Sequence, residues 1–259
     1  AALNVVTGAA TDWAPDADKQ VQRLLLDGDT LYVAGLFNNI GGQPRTILAA
    51  LDVTSSTNNA TSFVANCDSN IFRLERHGDD LYFGGSFHTV NGETRNLLAS
   101  VNATTGALTA WNPNVTGNSV YGLDIVDNTV YVGGQFTEIG VSLRNNIGAV
   151  DATTGVVTTL DPTANGRIYS QLVEDGKIYV AGGFTVIGGA NRSFLAELDA
   201  ATGVATNRVL ESNLLSNSAP TLAKSGNTLF LAESTLNTLN GVPVQKTAAY
   251  DLGSDTVLD

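Results

Sequence analysis

Methionine is absent from this 259-residue sequence, cysteine occurs once, histidine twice and proline six times. A single thiol, Cys67, excludes an internal disulfide and any cysteine-based zinc site, and is expected as a buried structural residue. The two histidines, His77 and His88, stand apart and no H-E-x-x-H motif is present, so no histidine metal site and no cofactor are expected. Basic residues are also scarce, 13 against 25 acidic ones, for a net charge of -12. That balance repels a phosphate backbone and an anionic membrane surface, so nucleic acid is excluded as a partner. No apolar run approaches the roughly 18 residues needed for a membrane helix. With no Met and few Lys and Glu, the composition is poor in helix formers.

What is abundant is Gly, with Thr, Asn, Val and Asp, the residues of strands and tight turns. They are arranged in a repeat. LYVAGLF begins at Leu31, LYFGGSF at Leu81, VYVGGQF at Val130, IYVAGGF at Ile178 and a degraded LFLAEST at Leu229. Steps of 50, 49, 48 and 51 residues indicate a repeat architecture. An apolar strand precedes each copy across an Asp-Gly, Gly-Asp or Asp-Asn pair that suits a hairpin. A third strand follows, beginning near an arginine and ending at Asp52, Asn102, Asp151 or Asp199. The turn after it, such as Asp151-Ala-Thr-Thr-Gly, can be closed by the Asp side chain, and a weaker fourth strand comes next.

Four antiparallel strands per unit predict an all-β fold, a β-propeller of five blades in a single domain over 1–259. The blades are expected at 19–66, 67–116, 117–165, 166–212 and 213–259. Residues 1–13 match 101–111, so 1–18 are expected to close the ring as outer strand material beside 219–259.

The pattern GGxFT, an arginine, LAxLD and WNPN resembles kelch-like propellers, and more closely the delta-60-type repeats of bacterial secreted or surface proteins. Here it is carried by Gly84, Gly85, Phe87, Arg95, Asn102, Trp111, Asn112 and Pro113. The resemblance covers nearly the whole chain, departs most in the fifth repeat, where Val244 replaces arginine, and implies an architecture rather than an activity.

No glycine doublet fits G-x-G-x-x-G or G-x-x-x-x-G-K, so a structural role is expected instead of a phosphate loop. Arg45, Arg95, Arg144 and Arg192 recur once per repeat. Four guanidinium groups on one face could grip a carboxylate, sulfate or anionic sugar; alternatively, each pins its own loop. Arg23 and Arg73 occupy equivalent places on the innermost strands, as do Glu75 and Asp124 two residues later. The two carboxylates suggest a glycoside-processing pair, and the mixed charges an ion-pair cluster. No Gly-x-Ser-x-Gly or Cys/His pairing indicates a nucleophile.

The expected function is therefore a non-enzymatic, extracellular or cell-surface binding module for a protein or glycan. It would be a monomeric, non-membrane-inserted part of a longer exported chain, in keeping with Ala1 in place of Met and with four N-x-[ST] sequons. A carbohydrate-active enzyme and a structural spacer are the alternatives. Binding is expected in the loops that vary while the strands repeat, Asp12–Asp18, Asn66–Asn70, Asn112–Ser119, Asp161–Arg167 and Glu211–Ser218, with Tyr121 and Tyr169 either as aromatic contacts or as residues packed between blades.

Overall fold

The computed structural model describes residues 2–214 and 219–258. The described residues form antiparallel sheets and no helix, in two compact units, Ala1–Asn114 and Val115–Asp259.

In the first unit the first sheet contains Val21–Asp27, Thr30–Gly35, Ile47–Asp52 and Ala65–Asn66, and the second Ile71–His77, Asp80–Gly85 and Leu98–Asn102. In the second unit the third sheet is built on Val115–Val126, Thr129–Ile139 and Ile147–Asp151, and the fourth on Ile168–Glu174, Lys177–Gly182 and Leu195–Asp199. The fifth contains Thr221–Ser225, Thr228–Ala232, Thr247–Asp251 and Thr256–Leu258. Two-residue turns join the first two strands of every sheet, with φ near +55° at Gly28, Gly78, Asp127, Asp175 and Gly226. Their backbone twist matches that of the flanking strands, which is why Gly and Asp are placed there.

The glycine doublets mark a crossing of backbones. In the first four sheets the first strand bulges near its start, after Val21, Ile71, Val120 and Ile168. The glycine at the fifth place of each signature faces that bulge, and a Cβ on Gly35, Gly85, Gly134 or Gly182 would collide with the carbonyl oxygen of Gln20, Asn70, Ser119 or Arg167. Bulge and glycine belong together, because the extra residue throws the carbonyl across the partner strand. The fifth sheet has Glu233 at this place, and its ladder runs without a bulge.

The four repeated arginines precede the third strands instead of beginning them. Two residues later the backbone turns left-handed, at Ile47, Leu97, Asn146 and Phe194, and at Lys246 in the fifth sheet, with φ between +64° and +70°. A hydrogen bond donated by this residue's backbone amide holds it there: Ile47 N to Phe37 O, Leu97 N to Phe87 O, Asn146 N to Phe136 O and Phe194 N to Phe184 O, at 2.9–3.1 Å. Such a φ is disfavoured for Ile and Phe, so the hydrogen bond, not local preference, sets it.

The turn after the third strand follows the expected chemistry. Asp151 Oδ1 accepts the amides of Thr153 and Thr154, and Asp199 Oδ1 those of Ala201 and Thr202. Asp251, Asn102 and Asn4 make the same turn. The bonds donated to them hold the Asp151, Asp199 and Asp251 carboxyls below their ordinary value of 3.8. A carboxyl lowered by folding stabilises the fold above its unfolded pKa, and the contribution is lost as pH falls through the folded value. Stability should therefore decline below about pH 4. The triple variant Asp151→Asn, Asp199→Asn, Asp251→Asn keeps an acceptor at each turn, as Asn102 does. In acid titrations followed by circular dichroism it should lose less stability below pH 4 than the wild type, and an identical acid midpoint would refute this.

Sheets stack through opposite faces. Tyr32, Ala34, Leu48 and Ala50 of the first sheet pack on Leu74, Leu81, Phe83 and Val101 of the second. Tyr131, Ile147 and Ala149 of the third pack on Val173, Ile178, Val180 and Leu198 of the fourth. Tyr179, Ala181 and Leu195 of the fourth pack on Leu222, Leu229, Leu231 and Tyr250 of the fifth. Cys67 lies within the first of these cores, and burial pushes its thiol pKa up, as suits a structural residue.

The fourth strand is shorter than the sequence suggests. In the second, third and fourth sheets it is a single bridge, at Leu108, Val157 and Ala205. The fourth position of the fifth sheet is filled by Thr256–Leu258 from the chain itself. Residues 2–11 form a hairpin bridged at Leu3 and Ala10, and Trp13, after it, lies on the first sheet, where its Nε1 donates to Asp52 O at 3.1 Å.

Candidate functional site

At one end of each sheet a tether joins the incoming loop to the short hairpin between the second and third strands. Asp18 accepts from Asn38 N and Asn39 Nδ2, and Asp68 from His88 N and Thr89 N. In the second unit Asn165 accepts from Thr185 N and Val186 N, and Asn213 from Asn237 N and Thr238 N. The third sheet replaces the tether by strand pairing, Val115 with Ile139. The tethers gather the variable loops on the same end of each sheet as the hairpins. Of the expected binding loops, the last half of Glu211–Ser218, residues 215–218, lies outside the described residues.

The arginines hold these loops from within. Arg45 donates to the carbonyls of Pro44, Thr61 and Phe63, and Arg95 to those of Thr94 and Thr109. Arg144 donates to Leu143 and Thr158, and Arg192 to Asn191 and Thr206. Of the two arrangements open in the sequence, the guanidinium groups adopt the loop-pinning one. It also accounts for the short fourth strand: the Thr109, Thr158 and Thr206 carbonyls face a guanidinium where a longer ladder would continue. The fifth sheet has Val244 in this place and a regular fourth strand.

On the first strands, Arg23 Nε donates to Phe72 O at 2.7 Å and Arg73 Nη1 to the same carbonyl at 2.9 Å. Glu75 and Asp124 hold equivalent ladder places, opposite Tyr82 and Tyr131. Asp124 Oδ2 accepts the Val173 amide at 2.9 Å, which ties the third sheet to the fourth. Among the described residues no three His, Cys, Asp or Glu side chains gather as a metal site requires.

Tyr121 and Tyr169 do come together. Their rings lie 5.5 Å apart at 41°, both half-buried, and the Arg167 guanidinium sits 5.7 Å from the centre of the Tyr169 ring. Arg167 was not singled out from the sequence. Alternation could not have found it, because it precedes the strand Ile168–Glu174, whose register shifts after Ile168. The group combines apolar ring surface and hydroxyls on the first strands of the third and fourth sheets with a cation one residue before the latter, features that binding surfaces favour.

Residues 174–203 match a family model described as a β-propeller domain of unknown function, DUF5122. No curated protein matches the sequence. Among solved structures, a chain of the mitotic checkpoint complex is similar over 98% of this chain and 70% of its own, at 13% identity and TM-score 0.63. The extracellular domain of BT4673 from B. thetaiotaomicron is similar over 96% of this chain and 29% of its own, at 13% identity and TM-score 0.60. The computationally designed Ika8 protein is similar over 92% of this chain, at 15% identity and TM-score 0.56, and the chain spans 60% of its length. At these identities the likeness concerns fold alone, and the fold is all-β and propeller-like.

Proposed function

We propose that the protein is a non-catalytic binding module, five kelch-like blades of the GGxFT type, that engages a glycan or protein partner through its loop ends in an extracellular or cell-surface setting. The observation that carries the reading is the half-buried Tyr121–Tyr169 pair with Arg167 set over one ring. Aromatic residues and arginine dominate binding hot spots because they bring large contact area at little entropic cost. The four repeated arginines each bond at least two loop carbonyls, and the parts that differ between repeats are the ones offered for recognition. A similar solved structure is an extracellular domain, which is consistent with the setting.

The test is a glycan array together with quantitative binding to the glycan or protein it identifies. Tyr121→Ala and Tyr169→Ala should each weaken binding by about 30-fold or more, the effect of a hot-spot residue. Arg45→Lys, in the loop-pinning set of the other unit, should leave affinity within a few fold. Binding unchanged in both tyrosine variants, or a wild type that binds no glycan and no protein, would overturn the reading.

A further inference from the structure

Eight of the nine arginines donate hydrogen bonds within the chain. Arg167 is the exception. Among the described residues its guanidinium reaches no acceptor and no carboxylate, and it rests on the Tyr169 ring, 5.7 Å from the ring centre. Its backbone is fixed, since the Arg167 carbonyl accepts the Gly183 amide at 2.8 Å and fills the space that Gly182 leaves. Gln20, Asn70 and Ser119 hold the equivalent place in the first three sheets, so the charge occurs once and is not part of the repeat. A half-buried cation gives up hydration, and this one gains no protein bond in exchange, unlike the arginines that pin loops.

Gln171, four residues on, also departs from the repeat. Leu24, Leu74, Leu123 and Leu222 stand at its ladder place in the other sheets. It is 7% exposed, yet among the described residues neither its amide nitrogen nor its amide oxygen has a partner. The side chain lies against the third sheet, where a Cβ on Gly122 would meet its Cγ and a Cβ on Gly133 its Oε1. Gly122 follows Tyr121 in the chain and takes the place of Arg23 and Arg73, so the third sheet yields the room that the glutamine fills. A buried amide with an open donor and an open acceptor is matched by a hydroxyl, which gives one hydrogen bond and takes another.

We propose that Arg167, Tyr169, Tyr121 and Gln171 form a site, within the second unit, for a sugar ring that bears a carboxylate, a uronate. The proposal rests on the binding reading of the tyrosine pair and narrows its partner to an acidic glycan. A carboxylate is planar and takes two parallel bonds from a guanidinium. Because the guanidinium stands over the Tyr169 ring, the ligand must carry its charge next to the body that covers the ring. In a uronate the carboxylate is bonded directly to a ring carbon, and the apolar face of that ring stacks on a tyrosine. In an acidic peptide the carboxylate hangs on methylenes from a backbone whose amides would face the aromatic ring unpaired. The ring hydroxyls of the sugar are the groups that suit Gln171.

The test is an array of glucuronate- and galacturonate-bearing oligosaccharides, each beside its carboxyl-reduced counterpart, with acidic peptides and sulfated glycans on the same surface, followed by titration calorimetry. The acid form should bind at least about tenfold tighter than the reduced form, as a charge-assisted pair contributes. Arg167→Gln, which installs the first sheet's residue, should abolish that difference and leave the reduced form's affinity within about twofold. Gln171→Leu, the residue of the other four sheets, should weaken the acid and reduced forms alike by about fivefold. Acid and reduced forms that bind equally, or a preference that survives Arg167→Gln, would overturn the uronate assignment while the tyrosine reading stands. Selective binding of acidic peptides or of sulfated glycans would overturn it likewise. Unchanged affinities in Gln171→Leu would overturn the assignment of the amide to the site. Binding of no glycan and no peptide would overturn both the uronate and the tyrosine readings.

Discussion

Gly85→Ala is expected to destabilise the protein by about 3 kcal/mol, the upper part of the range for overpacking a dense interior. The added methyl would meet the Asn70 carbonyl oxygen, the Asn70 carbonyl carbon and Ile71 Cα, all backbone atoms. A flexible side chain could swing away; a backbone crossing can relax only by opening the bulge, and with it the Ser86 N to Asn70 O bond. Gly182→Ala should behave alike, since its methyl would meet Arg167 O. Gly78→Ala is the control. Its φ is +56° and nothing lies within 4 Å, so only the left-handed strain of about 1–2 kcal/mol applies. Urea or thermal unfolding of the three variants decides the matter, and a Gly85→Ala loss no greater than that of Gly78→Ala would remove the steric explanation.

Arg95→Met is expected to cost a similar amount, about 3 kcal/mol, through lost hydrogen bonds instead of crowding. Arg95 is 9% exposed and bonds the Thr94 and Thr109 carbonyls, so methionine fills the space but leaves two acceptors without their donor. Arg95→Lys should recover part of the loss, because one ammonium group supplies donors but lacks the planar fork that reaches two carbonyls at once. The measurement is the unfolding free energy of both variants, read beside binding of any glycan found on the array. A destabilised variant that still binds assigns the arginine to construction. An undisturbed stability with binding abolished would return it to the role of an anion grip.

The hairpins, the Asp-closed turns and the order of strands were legible because each depends on residues close in sequence whose types are restricted by the backbone. Asp151 and Thr154 announce their turn, and Asp27-Gly28 its hairpin, without any knowledge of the rest. The left-handed residue before each third strand was not legible. Ile, Leu, Asn, Phe and Lys occupy it, and of these only Asn favours a left-handed backbone, because the conformation is imposed by a hydrogen bond from ten residues away. The short fourth strand was hidden for a related reason, since the arginine that limits it stands fourteen residues before the carbonyl it takes from Thr109. Tyr121 and Tyr169 were legible as candidates but not as a pair, because the Val120 and Ile168 bulges shift the local register.

The backbone crossing at the glycine signature also bears on how the chain acquires its structure. Leu36 N to Gln20 O, Ser86 N to Asn70 O and Gly183 N to Arg167 O each close a loop of sixteen residues. Loop-closure entropy rises only with the logarithm of loop length, and closures this short form on a microsecond scale. Each closure is therefore local to one sheet, while the apolar faces of that sheet are buried only when its neighbour stacks on it.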